Sequence, residues 1–372
     1  MRRFQPAGAL TGLAVALAAG LLLSATPANG AVAARQIACG SHLAADTTLT
    51  RDLHCSGDGL TLAPGVRLDM AGHQLSGDGT GVGISVVDGD RNAVRGGKIQ
   101  NWQTGIHFVG ASIAELKPVT LSGLRVVDAP LVLEAATITL ERSNLLRSPI
   151  FPSVTSLTVR DSVLRSSSTF GEMNNVSVVD TRVIGGGLAL DENNSLSITR
   201  SRLDGTGYTG SPLFCSVTVT IADSSVTHYA VPIYRSNFCT PDVAGTRFSN
   251  NPGGAIVSEL SDTPTTVSKS TFRGSGVAIS GESLQVTDST FVGNTGGVSI
   301  GDPTGSTITG SVFRSNAGSG IYTDGTSLAV RGNTAIGNGE YGIHAPAATD
   351  LGGNVARRNG TADCVGLVCT RR

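Results

Sequence analysis

The chain is poor in bulky and in charged side chains. Aromatic residues make up 4% of its 372 positions, charged residues 15%, and tryptophan occurs once, whereas glycine occurs 49 times. This composition leaves too few large side chains for a thick globular interior. It favours a thin, stacked core with many turns.

Runs of basic residues are also missing from the chain beyond its N-terminus. Lysine and arginine together number 27 against 28 acids, which gives a formal net charge of −1. A nucleic-acid-binding protein usually carries a clustered excess of Lys and Arg. We therefore expect no nucleic-acid partner.

Helical periodicity is absent after the N-terminal segment. Short alternations of Val, Ile and Leu are bounded instead by Gly, Asn, Asp and Ser, a pattern typical of β-strands. The chain is therefore predicted to be all-β.

The N-terminus has the layout of a secretory signal. Arg2 and Arg3 precede an apolar run over residues 7–23 and a small-residue stretch over 24–34. We predict a signal peptide at residues 1–33 and a secreted, extracellular mature chain at 34–372 without a membrane span. An uncleaved anchor is the alternative, but the apolar run is short for one.

Six cysteines in an exported chain favour disulfides. A zinc site is the weaker alternative, because no Cys-x-x-Cys pair is present. Sequence neighbours are the expected partners, and the middle pair is 24 residues apart, close to one repeat. The predicted bridges are Cys39–Cys55, Cys215–Cys239 and Cys364–Cys369.

One unit repeats along the chain: an apolar residue is followed five positions later by a second apolar residue. The unit occurs thirteen times, with successive second members 19 to 27 residues apart, as expected of a solenoid. The pairs are Met70/Leu75, Val94/Ile99, Leu121/Val126, Leu140/Leu145, Val159/Leu164, Val178/Val183, Ile198/Leu203, Ile221/Val226, Val243/Phe248, Val267/Phe272, Val286/Phe291, Ile308/Phe313 and Val330/Ala335.

A column of hydroxyl residues lies three positions after the leading apolar residue. We predict a ladder in which each side chain bonds its neighbour in the next repeat. Two positions after the leading residue lie Gly, Arg, Asp or Lys, interpreted as turn formers in a mixed-charge ladder. The hydroxyl column is Ser143, Ser162, Thr181, Ser201, Ser224, Thr246, Ser270, Ser289 and Ser311, followed by Asn333.

A second strand follows each turn and is often introduced by glycine, as at Gly83, Gly105 and Gly297. The two-residue hairpin turns of antiparallel sheets are missing, so equivalent strands stack in parallel, and parallel crossovers are right-handed. The predicted fold is a single-stranded right-handed parallel β-helix of about 13 rungs. Caps are expected at residues 34–60 and 355–372.

Two segments resemble a known group of proteins. Residues 68–79, LDMAGHQLSGDG, resemble the opening rungs of bacterial secreted β-helix proteins. Ser311 to Ile321 resembles the "xxFxxN…GI" repeat of carbohydrate-binding and sugar-hydrolase β-helices. The chain is thus similar to the right-handed parallel β-helix proteins of the pectin lyase-like superfamily. The resemblance implies a polysaccharide partner, an acidic one if the protein is an enzyme.

Motifs of the best-known enzymes of that superfamily are absent. The chain lacks the Asn-x-Asp, Asp-Asp, Gly-His-Gly and Arg-x-Lys set of polygalacturonases and the Asp-Pro-His-Glu box of alginate epimerases. The predicted function is therefore binding of cell-surface or environmental polysaccharide without demonstrated catalysis. The alternative is a lyase, hydrolase or epimerase acting on an acidic polysaccharide.

Candidate catalytic residues come from an outward column eight positions after the second apolar residue. It reads His107, Glu134, Ser153, Glu172 and Asp191. In successive rungs Glu172 and Asp191 would stand about 5 Å apart, a carboxylate separation that suits a retaining glycosidase. A solvated charged face is the alternative interpretation.

Two further residues are candidates for substrate binding. Trp102 could stack on a sugar ring, or pack in the core, and His107 lies close to it in sequence. Four acids near the turns after the glycine strands, Glu259, Glu282, Asp302 and Asp324, could hold Ca²⁺ or simply form turns. No other cofactor is expected.

Overall fold

The computed structural model describes residues 36–109, 118–171, 173–190, 195–210, 213–215, 218–235, 239–258 and 264–370. Contacts within the chain divide it into two units, Met1–Gln36 and Ile37–Arg372. The predicted signal segment lies outside the described residues. Among the residues described, no helix is long and apolar enough to cross a membrane.

All described strands belong to three parallel stacks, which the chain visits in the order sheet 1, sheet 2, sheet 3 in every rung. Sheets 1 and 2 merge through two 11-residue strands, Leu131–Glu141 and Ile150–Arg160, which take part in both. Sheet 3 stands apart, with 15 strands.

Sheet 1 carries the glycine-introduced strands predicted from the sequence. Its strands are His42–Leu43, Leu60–Leu62, Val82–Val87, Thr104–Val109, the first halves of Leu131–Glu141 and Ile150–Arg160, Thr169–Gly171, Leu188–Leu190, Leu213–Cys215, Ile233–Arg235, Ile256–Ser258, Val277–Gly281, Gly296–Ile300, Ile321–Tyr322, Tyr341–His344 and Ala362–Val365.

Sheet 2 carries the leading apolar residues. Its strands are Thr47–Thr48, Arg67–Asp69, Ala93–Arg95, Val119–Ser122, the second halves of Leu131–Glu141 and Ile150–Arg160, Met173–Val179, Ser195–Thr199, Thr218–Ala222, Thr240–Ala244, Thr265–Ser268, Leu284–Thr287, Thr307–Thr309, Thr326–Arg331 and Ala347–Asp350.

Sheet 3 carries the second apolar residue of each pair at the middle of a short strand. Its strands are Leu53–His54, Gln74–Ser76, Lys98–Gln100, Arg125–Val127, Asn144–Leu146, Val163–Arg165, Arg182–Ile184, Arg202–Asp204, Ser225–Thr227, Arg247–Ser249, Thr271–Arg273, Thr290–Val292, Val312–Arg314, Thr334–Ile336 and Val355–Arg357.

The predicted right-handed parallel β-helix of about 13 rungs is confirmed. All thirteen apolar pairs are buried, each side chain at most 2% exposed. Sheet 3 has one further short strand at each end, Leu53–His54 and Val355–Arg357, which the apolar pattern did not include.

Core side chains stack on their equivalents one rung away. Phe248, Phe272, Phe291 and Phe313 form a file of parallel rings with centroids 5.1, 4.8 and 4.7 Å apart. In-register parallel strands lie about 4.8 Å apart, which brings each ring into offset contact with the next. The equivalent core file in the first eight predicted rungs is aliphatic.

In most rungs one left-handed residue makes the corner between sheets 2 and 3. Arg142, Asp161, Asp180 and Arg200 have φ of 48, 50, 48 and 47°, and these are the positions interpreted as turn formers. A non-glycine residue here is strained by roughly 1 kcal/mol, so the surrounding rungs must hold it. This structure confirms the turn-forming role.

The predicted hydroxyl ladder is present at this corner, with a different bonding pattern from the one expected. The backbone N–H of Ser143 donates to Ser162 Oγ at 3.1 Å, and Ser162 Oγ donates to the carbonyl of Arg160 at 2.7 Å. Each hydroxyl therefore joins two backbone groups rather than two side chains. Backbone groups that a turn would leave unpaired are satisfied in this way.

A second ladder lies at the corner between sheets 3 and 1 and was not recognised in the sequence. Its asparagine section links Asn294, Asn316 and Asn338: the N–H of Asn294 donates to Asn316 Oδ1 at 3.0 Å, and the N–H of Asn316 donates to Asn338 Oδ1 at 3.2 Å. Asn316 Nδ2 donates to the carbonyl of Phe291 in the preceding rung and to Asn338 Oδ1 in the next. One side chain thus bonds to both adjacent rungs.

Disulfides close both ends of the described solenoid. Cys39–Cys55 and Cys364–Cys369 have Cα–Cα distances of 5.6 and 6.2 Å, which confirms two predicted bridges. Cys239 is disulfide-bonded. The side chain of its predicted partner, Cys215, lies outside the described part of the structure.

Candidate functional site

The outward face of sheet 1 presents one side chain per rung in a single file. Near the C-terminus this file reads Ser280, Ser299, Tyr322 and His344, because each residue pairs in register with the next. Two small hydroxyl residues thus precede two rings. The ring cluster, defined as Tyr322, Asp324, Tyr341 and His344, is built at this point.

The rings of the cluster pack against one another. The Tyr322 and His344 rings are stacked, with centroids 4.8 Å apart and an interplanar angle of 11°. Tyr341 lies 4.6 Å from His344 at 53°. The stack follows from parallel register, since equivalent positions lie one rung, about 4.8 Å, apart.

Asp324 holds the two stacked rings from the side. Tyr322 Oη donates to Asp324 Oδ2 at 2.6 Å, and His344 Nε2 lies 2.9 Å from Asp324 Oδ1. His344 Nδ1 is buried and has no hydrogen-bond partner among the described residues. A proton on Nε2 therefore satisfies the contact with Asp324 and leaves only an acceptor unpaired at Nδ1.

These contacts fix the ionisation of the cluster. The hydrogen bond from Tyr322, followed by that from His344, lowers the pKa of Asp324 below its usual value. The same hydrogen bond to Asp324 raises the pKa of Tyr322. At neutral pH Asp324 is thus a carboxylate, which accepts hydrogen bonds, and Tyr322 keeps its phenol proton, so its ring has a polar edge.

Two of the acids proposed for Ca²⁺, Asp302 and Asp324, are each engaged in other contacts. Asp302 Oδ1 accepts hydrogen bonds from the backbone N–H and hydroxyl of Thr304, as in a turn, and Asp324 belongs to the ring cluster. Glu259 lies outside the described residues. Within the part of the chain that the structure describes, no group of three or more His, Cys, Asp or Glu side chains could hold a metal ion.

The predicted catalytic column is only partly visible. Glu134 is exposed on sheet 1 and pairs with Ser153 in the next rung and Val109 in the previous one. Glu172 and Asp191 lie outside the described residues, so the proposed carboxylate pair stays a prediction.

The two predicted substrate-binding residues do not lie side by side on the surface. His107 is half-buried and pairs with Val132, so it occupies the file next to that of Glu134 rather than the same one. Trp102 is 2% exposed, and its Nε1 donates to the carbonyl of Leu75. The Trp102 ring packs in the core, which is the alternative weighed for it, and has no face open to a sugar.

A polar cluster that the sequence did not suggest lies at the C-terminal end of one sheet 3 strand, Arg202–Asp204. Asp204 is 9% exposed; it accepts a hydrogen bond from Thr206 Oγ1 at 2.7 Å, lies 3.1 Å from His228 Nδ1 and contacts Arg202 at 3.3 Å. Burial alone would raise the pKa of Asp204, but the bonds from Thr206, His228 and Arg202 lower it to about 2. Asp204 and His228 are 24 residues apart, and only the rung period brings them together.

Fold and repeats together define the class: the chain is a right-handed parallel β-helix repeat protein. A family model described as right-handed beta helix region matches residues 233–368. No curated protein matches the sequence.

Among solved structures, the chain is similar to tailspike protein 3 of bacteriophage CBA120. The TM-score is 0.38 and the sequence identity 13%, and the match covers 88% of this chain and 57% of the tailspike. The chain therefore spans little more than half the length of that protein.

Proposed function

We propose that this protein is exported and binds polysaccharide through the ring cluster on sheet 1. The observation that carries the proposal is the Tyr322–His344 stack, which ends at a ring followed by two small residues. On the side of Tyr322 away from His344, the file continues with Ser299 and Ser280. The described ring contacts of Tyr322 are with His344 and Tyr341.

A sugar ring fits the chemistry of this position. Its C–H face can continue the stack on Tyr322, since aromatic rings combine apolar area with a polar edge. The Ser299 and Ser280 hydroxyls supply donors and acceptors beneath the ring, and Asp324 supplies a carboxylate for sugar hydroxyls. These are the features of a binding subsite with a few directed polar groups.

Ionisation favours binding over acid catalysis. Among the described carboxyl groups whose pKa is clearly displaced, every displacement is downward, as for Asp128, Asp180, Asp204 and Asp324. A general acid for glycoside cleavage needs a raised pKa. Carboxylates held ionised act as hydrogen-bond acceptors instead.

Replacing Tyr322 tests the proposal. We expect Tyr322→Ala to weaken binding to the best ligand of a polysaccharide panel about tenfold, because the stacking surface is lost. Tyr322→Phe keeps the ring and loses only the bond to Asp324, so it should retain most of the affinity. Affinity electrophoresis and titration calorimetry give the constants.

Tyr208→Ala is the matched control. Tyr208 is half-buried and its ring lies edge-on to Tyr229, 6.2 Å away, outside the ring cluster. This variant should bind like the unaltered protein. Equal affinity of Tyr322→Ala and the unaltered protein, with both folded by circular dichroism, would refute the proposed site.

A further inference from the structure

Sheet 3 concentrates positive charge on its outward face. Its described strands hold eight arginines and one lysine against a single carboxylate, Asp204. The middle residue of each strand points inward and is apolar, so these charged residues occupy the outward positions. The arginine face, defined as the outward positions of sheet 3, is therefore strongly basic in a chain of formal net charge −1.

One file of this face contains neighbouring cations. Lys98 pairs with Arg125, and farther along Arg182 pairs with Arg202. Like charges directly opposite one another on parallel strands repel. The positive charge of Arg202 is offset by its contact with the Asp204 carboxylate, whereas Arg182 has no carboxylate partner among the described residues. A bound anion would relieve the repulsion between them.

A groove lies beside these two arginines. It has a volume of ≈ 620 Å³. Arg182 and Arg202 line it on the sheet 3 side, and the corner residues Asp161, Asp180, Arg200 and Asp223 line it on the other. The Arg200 charge is already paired with Asp180. Because Arg202 contacts Asp204, the cation of this groove without a carboxylate partner among the described residues is Arg182, on the sheet 3 side.

A second file spaces its cations regularly toward the C-terminus. In register order it reads Arg273, Val292, Arg314, Ile336 and Arg357. Arginine thus recurs on every second rung, about 10 Å apart. Within the described chain, neither Arg273 nor Arg314 has a carboxylate partner. A linear array of this kind matches a chain-like ligand whose charges repeat.

We propose that the arginine face binds the carboxylate or sulfate groups of a linear acidic polysaccharide. Arginine suits this partner because its planar guanidinium bonds both oxygens of an oxyanion at once. Single-stranded nucleic acid fits less well, because proteins that bind it stack bases on aromatic side chains, and the outward positions of the described sheet 3 strands carry no Phe, Tyr or Trp. The inference rests on the proposed polysaccharide-binding function and adds a charged ligand class and a second surface.

The test compares two double variants of the full chain. Arg273→Gln/Arg314→Gln removes two unpaired cations from the arginine face. Arg67→Gln/Arg331→Gln removes the same charge from exposed positions on sheet 2. Polygalacturonate and dextran sulfate serve as acidic probes, and dextran and single-stranded DNA as the neutral and the nucleic-acid comparison.

We expect the sheet 3 variant to bind one or both acidic polysaccharides about tenfold more weakly, and the sheet 2 variant to bind as the unaltered protein does. The affinity should fall with added salt, less steeply for the sheet 3 variant. Preference for polygalacturonate identifies carboxylate as the recognised group, and preference for dextran sulfate identifies sulfate.

Three results would overturn the inference: equal losses in both double variants, no loss in the sheet 3 variant, or DNA bound as tightly as the acidic polysaccharides through the same arginines. The proposed function fails separately, through Tyr322→Ala. If Tyr322→Ala loses affinity and the sheet 3 variant does not, the ring cluster remains the proposed binding site and the arginine face is rejected.

Discussion

Arg200 and Arg182 lie on neighbouring rungs in opposite surroundings. At the corner, Arg200 forms two hydrogen bonds to Asp180, at 2.9 and 2.7 Å. On sheet 3, Arg182 faces Arg202 and no carboxylate among the described residues. Corner charges of the first kind tie one rung to the next. Charges of the second kind contribute nothing evident to folding, which is why we assign them to a ligand.

The same contrast separates the interior from the surface. Asn316, 1% exposed, bonds to groups of both adjacent rungs, so its polar atoms are committed to the solenoid. Side chains that are fully partnered inside serve stability, and those left unpartnered outside are available for recognition. Substitutions of interior and of surface residues can each test this division.

The largest effect is expected inside, for Asn316→Ala. The change leaves the N–H of Asn294 and the carbonyl of Phe291 buried without their partners, which should cost about 3 kcal/mol of the free energy of unfolding. Urea unfolding followed by circular dichroism measures it. Asn144→Ala, at an exposed outward position of sheet 3, is the control and should leave the midpoint unchanged. Equal midpoints for the two variants would contradict the division.

An intermediate effect is expected for Asp204→Asn, with a defined pH dependence. The pKa of Asp204 is about 2 in the folded chain against an ordinary 3.8, so its ionised form stabilises the fold by about 2 kcal/mol above pH 4. That contribution is lost as the pH falls through the folded pKa. The variant should therefore unfold at lower urea than the unaltered protein at pH 7, and the gap should close near pH 2. A gap that stays constant with pH would show that charge is not the cause.

The smallest effects are expected for single arginines. Arg200→Gln should let the pKa of Asp180 rise toward its ordinary value, since the bond from Arg200 is the main cause of its lowering. A carboxyl NMR titration detects the change. Arg182→Gln should leave that titration alone and weaken acidic polysaccharide binding about threefold. If Arg182→Gln changed the Asp180 titration and Arg200→Gln weakened polysaccharide binding, the roles assigned to the two arginines would be wrong.

The fold was predictable because its signal repeats. Apolar pairs such as Met70/Leu75 report the same buried contact in every rung, so irregular loops between them do not hide the period. The asparagine ladder was harder to see, because Ser275 interrupts the asparagines and serines such as Ser148 and Ser167 take the same position in earlier rungs.

Sites were less predictable, since they depend on which rungs face one another. Tyr322 and His344 are ordinary surface residues in the sequence and become a stack only through register. The arginines of sheet 3 form no run along the chain, so their clustering was invisible to a charge count. Trp102 shows the reverse: its chemistry suggested a sugar platform, but glycines at positions 77 and 83 leave room for its ring inside.

The rungs from Leu145 to Val183 repeat every 19 residues, so each 19-residue segment forms one complete turn of the solenoid. Excising or duplicating such a unit would leave every remaining neighbour in register, and it would shift the distal end by one strand spacing, about 4.8 Å. The length of the solenoid can therefore change only by whole rungs. Evolution can lengthen or shorten its ligand-facing surfaces in whole steps without redesigning the core.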